Sequence, residues 1–303
     1  MIVNAKFSIL ITTKNRLNDL IFTLEKIENI LVQSNVECII CDDGSTDGTF
    51  SFLQKNFPKL QLIRNKTSQG LIYSRNRLLN LTIADFAISL DDDAHFLTEN
   101  PLELIENYFT NHSNCGVIGF RIFWGLSEPK NTISSQKSER VQGFVGCAHV
   151  WRMSSWRKIP NYPDWFVFYG EEEFAAFHLF KKNIEVHYLP SVLVQHRVEV
   201  KSRKNNSDYT IRLRRSLRAG WYLYFLFFPV IKIPRKLFYS IWIQLKNKVF
   251  NGDLKALKAL FFAFFDLWYN LLKILKNKSR LTKPEFEKFH SLPLTKIYWN
   301  EEE

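Results

Sequence analysis

Three consecutive aspartates, Asp91-Asp92-Asp93, follow directly on the apolar run Phe86–Leu90. Like charges held that close raise one another's pKa and destabilise the site they share unless something positive is present. A divalent cation is the simplest remedy, because hard ions take carboxylate oxygens and leave positions open for phosphate oxygens. A solvated acidic turn would account for the triplet alone. It accounts less well for the wider pattern, since Asp42 and Asp43 close a second apolar run and Glu171-Glu172-Glu173 open a later helical one. Glutamates also suit the positive end of a helix dipole, so a purely structural role is open to that trio.

The elements that must position these groups follow a regular rhythm. Short strand-like runs at Phe7–Ile11, Val36–Cys41, Leu60–Arg64 and Phe86–Leu90 alternate with helical patterns at Leu17–Val32, Thr49–Phe57 and Leu71–Leu81. Such β-α-β-α alternation predicts a parallel sheet covered on both faces. Ligands bind beyond the carboxyl ends of the strands in sheets of this kind. Here those ends carry Thr12-Thr13-Lys14-Asn15-Arg16, Asp42 to Gly48, and Asp91 to His95, so polar and acidic groups converge on one rim. Further strands are expected at Val117–Phe123, Phe144–Trp151 and Ile184–Val194, a helix at Glu171–Lys182, and a mobile loop or lid over Trp124–Gln142. Trp151, Trp156 and Trp165 could present aromatic faces to a ligand, although core positions suit them better.

Charge divides the 303 residues into two physical objects. From Lys201 onward there are 21 Lys and Arg against 8 Asp and Glu, whereas the first two hundred residues carry 20 against 22. A hydrophobic content of 46% excludes a disordered chain, and 23% charged residues exclude an ordinary multi-span membrane protein. The basic half is also aromatic. Trp221–Val230 is nearly all apolar but falls short of the twenty or so residues that span a bilayer. Leu257, Leu260, Phe261, Phe264, Trp268, Leu271, Leu272 and Leu275 recur at spacings of three and four, with Lys255, Lys258, Asp266, Asn270, Lys273 and Lys276 largely opposite. This spacing predicts one amphipathic helix, whose apolar face either packs on the body as extra core or lies on an anionic membrane. Nucleic-acid binding fits less well, because the apolar residues lie along a helical face instead of interleaving with arginines.

The run Ile39-Ile40-Cys41-Asp42-Asp43-Gly44-Ser45-Thr46-Asp47-Gly48-Thr49 resembles the nucleotide-binding signature of family 2 glycosyltransferases, which have the GT-A fold. Phe7–Arg16 is similar to that family's first strand, and Gln69-Gly70 with Ser74-Arg75-Asn76 to its Gly-x-x-x-Ala-Arg-Asn helix, with Ser for Ala. Leu90-Asp91-Asp92-Asp93 occupies the Asp-x-Asp position, Tyr169-Gly170-Glu171-Glu172 resembles the later Gly-Glu-Asp motif, and Val194-Gln195-His196 its trailing histidine. The likeness covers roughly residues 6–200. It implies an α/β, GT-A-like (Rossmann-like), mainly parallel sheet flanked by helices, with catalytic residues 1–207 split near 100 into nucleotide and acceptor halves. Residues 208–303 then form a basic, aromatic, mainly α-helical tail.

The resemblance also implies roles. Thr12, Asp43 and Asp92, helped by Asp91, would contact the base and ribose of a nucleoside diphosphate sugar. Asp93 would hold Mn²⁺ or Mg²⁺ on the diphosphate, with His196 as a second metal or phosphate ligand, and Arg16 and Arg75 would touch the diphosphate. Structural alternatives exist for each of these: a lone histidine after a strand, a helix cap, a surface arginine. Inverting transfer needs a metal to neutralise the leaving diphosphate and a carboxylate base to deprotonate the acceptor. Glu172 stands where the family has an aspartate, so Glu171 or Glu173 could carry that role instead. The basic, amphipathic tail would place the active site near a bilayer, so the expected acceptor is a glycan or lipid-linked glycan of a surface polysaccharide, at the cytoplasmic face of an anionic membrane.

Other readings leave specific traces. Phe7–Ile11 is too short for a signal-peptide core. Cys38 and Cys41, three apart on a strand, point to opposite faces and are badly placed to share a metal or a bridge, so buried thiols in a reducing cytoplasm are expected. A non-enzymatic membrane adaptor would not need the acidic triplet and the Gly-Glu-Glu run. A sugar nucleotidyltransferase would show a glycine-rich triphosphate loop near the N-terminus, and Thr12–Arg16 has no glycine.

Overall fold

Every residue of β1 (Phe7–Thr13) is buried, as suits a central strand covered on both faces. The computed structural model describes residues 5–199 and 207–299. After β1 come α1 (Leu17–Lys26), α2 (Glu28–Leu31), β2 (Val36–Asp42), α3 (Thr49–Asn56), β3 (Gln61–Arg64), α4 (Leu71–Leu81) and β4 (Phe86–Asp91). The chain continues through β5 (Ala94–Phe96), α5 (Pro101–Asn111), β6 (Cys115–Trp124), β7 (Glu139–Arg140), β8 (Ala148–Arg152), α6 (Met153–Trp156), α7 (Glu171–Lys181) and β9 (Glu185–His196). Five helices close it: α8 (Tyr209–Phe227), α9 (Ile233–Asn247), α10 (Leu254–Tyr269), α11 (Leu271–Lys276) and α12 (Lys283–His290).

The strands form one mainly parallel sheet in the order β3-β2-β1-β4-β8-β6-β9-β5, with β7 on β9. β3, β2, β1 and β4 are parallel neighbours, which brings the ends of β1, β2 and β4 to one edge. Thr12 pairs with Cys41 on one side and Asp91 on the other. β8 runs antiparallel between β4 and β6, and β6 and β9 are again parallel. Side chains alternate across the sheet: Phe7, Ile9, Ile11 and Cys38 join the core beneath α1 and α5, whereas Leu10 and Cys41 join the one beneath α4 and α7. The two cysteines are buried, free and on opposite faces, as the spacing requires.

Four expected elements differ in extent. The Leu17–Val32 helix breaks at Ile27 (φ −105°, ψ 11°), and the break lets both Ile27 and Ile30 enter the core. Phe144–Trp151 is strand only from Ala148, because Gly146 and Cys147 turn their carbonyls to Arg75 and to the Asp91 amide. The Trp124–Gln142 loop is pinned at its end, where Glu139 and Arg140 pair with β9. The Leu257–Leu275 helix is interrupted at Asn270, a buried residue whose side chain donates to the Tyr222 hydroxyl and the Asp266 carbonyl.

The C-terminal helices share the core of α7. Trp221, Tyr222, Leu226 and Phe227 of α8 are buried with Phe174 and Phe177, and the Phe177 and Phe227 rings stack at 4.7 Å. Against α8, helix α10 presents Ala256, Ala259, Leu260, Ala263 and Leu267. The face read from the spacing is therefore mostly the outer one: Leu260 is buried, but Leu257, Phe261, Phe264, Trp268, Leu272 and Leu275 are exposed. Asp266, expected on the polar side, is buried and pairs with Arg214 and Arg218. Among the described residues no helix is long and apolar enough to cross a membrane. Replacing Ala263 by Leu should overpack the α8–α10 seam at a cost of about 1–3 kcal/mol. A single cooperative melt lowered by several degrees is the expected calorimetric result, whereas an unchanged melt would mean that the seam contributes nothing.

Candidate active site

The rim where β1, β2 and β4 end opens into a cavity of about 800 Å³. Thr12, Arg16, Asp43, Arg75, Asp91, Asp92, Asp93, Glu172 and His196 all line it. Residues spread over most of the first two hundred positions thus meet in one place.

The acidic triplet divides into three environments. Asp92 is buried, accepts a 2.8 Å hydrogen bond from the Thr13 hydroxyl and lies 3.4 Å from Arg16. Burial pushes its carboxyl up to about 7 with the Asp93 charge adding to it, while Arg16 and Thr13 pull the other way. Asp93 meets Arg16 at 2.7 Å and His196 at 3.1 Å. Burial would raise its carboxyl, but these two partners outweigh that and hold it at about 2. Asp91 turns its Oδ1 to Arg75 at 2.8 Å. Ligand atoms of Asp91, Asp93 and His196 lie within 4.8 Å of one another. Two carboxylates and an imidazole suit a hard-to-borderline divalent ion. The His196 ring meets Asp93 through Nε2 and also interacts with the buried Cys147 thiol, so it is held in place beside the two carboxylates. The donor set therefore fits Mn²⁺ or Mg²⁺.

Asp43 is consumed by its own surroundings. It accepts from the Asn65 amide, the Ser68 and Ser74 hydroxyls and the backbone N–H groups of Gln69 and Gly70. Those donors overcome the effect of burial and lower its pKa. Asp43 thus fixes the 65–70 loop that lines the cavity. Gly44 (φ +76°) allows that loop to come close, since a Cβ there would stand 2.9 Å from the Ser68 nitrogen.

Arg75, expected at the diphosphate, is 4% exposed and fully engaged. It binds Asp91 at 2.8 Å, Glu171 at 2.8 Å, Glu172 at 3.5 Å and the Gly146 carbonyl at 2.7 Å. Of the glutamate trio, Glu171 is buried, Glu172 half-buried at the cavity wall and Glu173 exposed. Burial and the Glu171 charge push the Glu172 carboxyl well above the usual range against the pull of Arg75. A raised carboxyl that reaches a cavity is the form expected of a proton acceptor tuned towards neutral pH. Val167 and Tyr169, both at φ 71°, precede the trio. A β-branched residue there is strained, and such strain gathers at functional loops.

Trp151 and Trp156 are core, as expected, and Trp165 packs on Tyr222. Trp124, not singled out from sequence, lines the cavity and meets the His196 ring edge-on at 5.5 Å. Arg212 and Arg215 of α8 also reach the wall, with no pattern in the chain to mark them. Arg197 is a further residue the sequence left unmarked; it donates to His95, the Thr23 hydroxyl and the Asp19 carbonyl, and so clamps β9 onto the triplet's turn.

Comparison with known proteins returns the Glycosyl transferase family 2 model over residues 8–180. Bacillus subtilis (strain 168) EpsE, provisionally named a glycosyltransferase, is 36% identical over 102 residues, covering 31% of this chain and 36% of its own. The Escherichia coli UDP-Glc:alpha-D-GlcNAc-diphosphoundecaprenol beta-1,3-glucosyltransferase WfaP is 31% identical over 96 residues, 29% of this chain and 38% of its own. The chain thus spans between about a third and a half of the length of the curated relatives it matches. A crystal structure of the mannosyltransferase PcManGT from Pyrobaculum calidifontis, in complex with GDP-Man and Mn2+, matches with a TM-score of 0.56 at 14% identity, over 95% of this chain and 84% of that one. At that identity the match speaks for the fold alone.

Gly146 supplies a test of the site's geometry. A Cβ added there would fall 1.9 Å from Glu172 Oε1 and 2.9 Å from Arg75 Nη1. Glu172 Oε1 ends a half-buried side chain that can turn into the cavity, so Gly146→Ala should displace it and strain its contact with the buried Arg75 at modest cost to the fold. The expected outcome is a melting temperature close to wild type with turnover down by about 100-fold, the penalty typical of a misplaced catalytic group. Equal turnover would remove Glu172 and Arg75 from the working site.

Proposed function

This chain belongs to glycosyl transferase family 2, and on that premise we propose that it is a metal-dependent inverting enzyme. It moves a sugar from a nucleoside diphosphate sugar to a glycan or lipid-linked glycan of a surface polysaccharide. One observation carries the reading: a carboxyl with a raised pKa, Glu172, faces the same cavity as the Asp91–Asp93–His196 cluster. The two halves of a displacement at an anomeric carbon, a base for the incoming hydroxyl and a sink for the leaving charge, are then within one space. The relative named for a diphosphoundecaprenol-linked acceptor supports the lipid-linked choice.

In this mechanism Asp91, Asp93 and His196 hold Mn²⁺ or Mg²⁺. When bound, the ion supplies Lewis-acid neutralisation of the departing diphosphate. Thr12, Asp43 and Asp92 form the wall against which the base and ribose lie, and Asp43 works chiefly by shaping the 65–70 loop. Arg16, half-exposed and paired with Asp92 and Asp93, would exchange one of those carboxylates for the diphosphate. Arg75 positions Glu171 and Glu172 and takes no part in donor contact. Glu172 accepts the acceptor's proton as its oxygen attacks. In a screen of sugar nucleotides with Mn²⁺, Glu172→Gln should lower kcat by about 10²–10⁴-fold with donor affinity unchanged, and chelation should abolish turnover. A matching loss of donor affinity in Glu172→Gln would count against the base assignment.

The outer face of α10 and α11 gives the enzyme its place. Phe261, Phe264, Phe265, Trp268 and Leu272 form an exposed apolar stripe, with Phe261 and Phe265 rings 4.7 Å apart, flanked by exposed Lys255, Lys258, Lys273 and Lys276. Aromatic residues beside lysines suit the interface of an anionic bilayer. The wild-type chain should sediment with phosphatidylglycerol vesicles in a salt-sensitive way. A triple Phe261→Ser, Phe265→Ser, Trp268→Ser variant should stay in solution with an unchanged melt. If it sediments as wild type does, the stripe is not the contact.

A further inference from the structure

The cavity has a second, basic wall that the transfer chemistry leaves unused. Helix α8 brings four arginines into two turns, and they divide by direction. Arg214 and Arg218 turn to buried Asp266 on α10. Arg212 and Arg215 line the cavity. Arg212 pairs with Asp208 and hydrogen-bonds the Tyr169 hydroxyl. Arg215 also lies near Tyr169, and among the described residues it makes no ion pair with a carboxylate. Burial, together with the charges of Arg218, Arg212 and Arg214, disfavours its protonated form. A guanidinium held at a cavity wall beside like charges, with no ion-pair partner, is suited to receive an anion.

Position decides which anion. Tyr169 is three residues before Glu172, so this basic wall adjoins the proposed base. The ion cluster of Asp91, Asp93 and His196 and the neighbouring Arg16 already provide for the donor's diphosphate. Building on the transferase reading above, we infer that Arg212 and Arg215 form a phosphate subsite for the acceptor, which is therefore a sugar carried on a phosphate or diphosphate and not a neutral glycan. An acceptor hydroxyl beside Glu172, with a phosphate on the far side of its sugar, would set the phosphate oxygens against α8. Guanidinium forks bind phosphate in a bidentate manner and outperform a lysine in doing so.

The test uses the full chain and geranyl diphosphate, a lipid diphosphate with no sugar, with geraniol as the uncharged control. Calorimetry is run with and without saturating Mn²⁺ and whichever of UDP, GDP or dTDP stabilises the protein. Geranyl diphosphate should bind in both conditions and geraniol far more weakly. Arg215→Gln should weaken geranyl diphosphate binding by about tenfold, the loss expected for one charge-assisted contact. Arg215→Lys, which keeps the charge, should lose less, and nucleotide affinity should stay near wild type in both variants. The proposal is overturned if geranyl diphosphate and geraniol bind alike, if Arg215→Gln changes nothing, or if saturating nucleotide displaces geranyl diphosphate and Arg215→Gln weakens both equally, which would make these arginines donor contacts. Absence of metal-dependent nucleotide binding by the wild type would sink the transferase reading instead, and the binding measured without nucleotide would still decide the subsite.

Discussion

The buried guanidinium of Arg75 is the interaction on which the rest of the site depends. Asp91, Glu171 and Glu172 come from β4 and the first turn of α7, and without a cation among them they would repel. Breaking a buried pair by removing one partner is costly because the others stay buried and charged. Arg75 also holds the Gly146 carbonyl, so four segments far apart in the chain are joined at one group. Its contribution is to geometry more than to net stability, since buried ion pairs commonly gain little over apolar packing. The same contact that lets the carboxylates coexist fixes the distance between the candidate ion cluster and the proposed base.

Around that centre the acids are differentiated by their partners. Asp43 is satisfied by loop donors and becomes a structural post. Asp93 is held ionised by His196 and Arg16, whereas burial and neighbouring carboxylates push Asp92 and Glu172 upward against the pull of Arg16 and Arg75. In the proposed mechanism carboxylates thus serve as post, ligand and base, and environment assigns the role. The C-terminal helices complete the design from outside. Alanines on α10 let it close on α8, whose opposite edge carries Arg212 and Arg215 to the cavity. Larger aromatics are left on the outer surface.

Much of this could be read from the chain because the rim is built from strand ends. A run of apolar residues followed at once by Asp or Thr marks both the strand and the place where its functional group emerges, so residues such as Thr12, Asp43 and Asp91 to Asp93 were visible. Arg75 was visible as a residue but not as a hub, because its partners are 16, 96 and 97 positions away. Gly146 has no side chain to announce that it makes room for Glu172. The break at Ile27 is set by what the core accepts, and the inner face of α10 was misread for a related reason. A helix that is apolar all round offers a spacing of three and four on either side, and only the position of α8 decides which side is buried.

In the proposed mechanism a cation and a base face each other across one cavity. Anomalous diffraction from crystals grown with Mn²⁺ and the nucleoside diphosphate that stabilises the protein would show both at once. A manganese peak bounded by Asp91, Asp93 and His196, touching the diphosphate, with the Glu172 carboxylate open to the same cavity, is the expected result. A peak elsewhere, or a diphosphate held by protein cations with no manganese beside it, would contradict it.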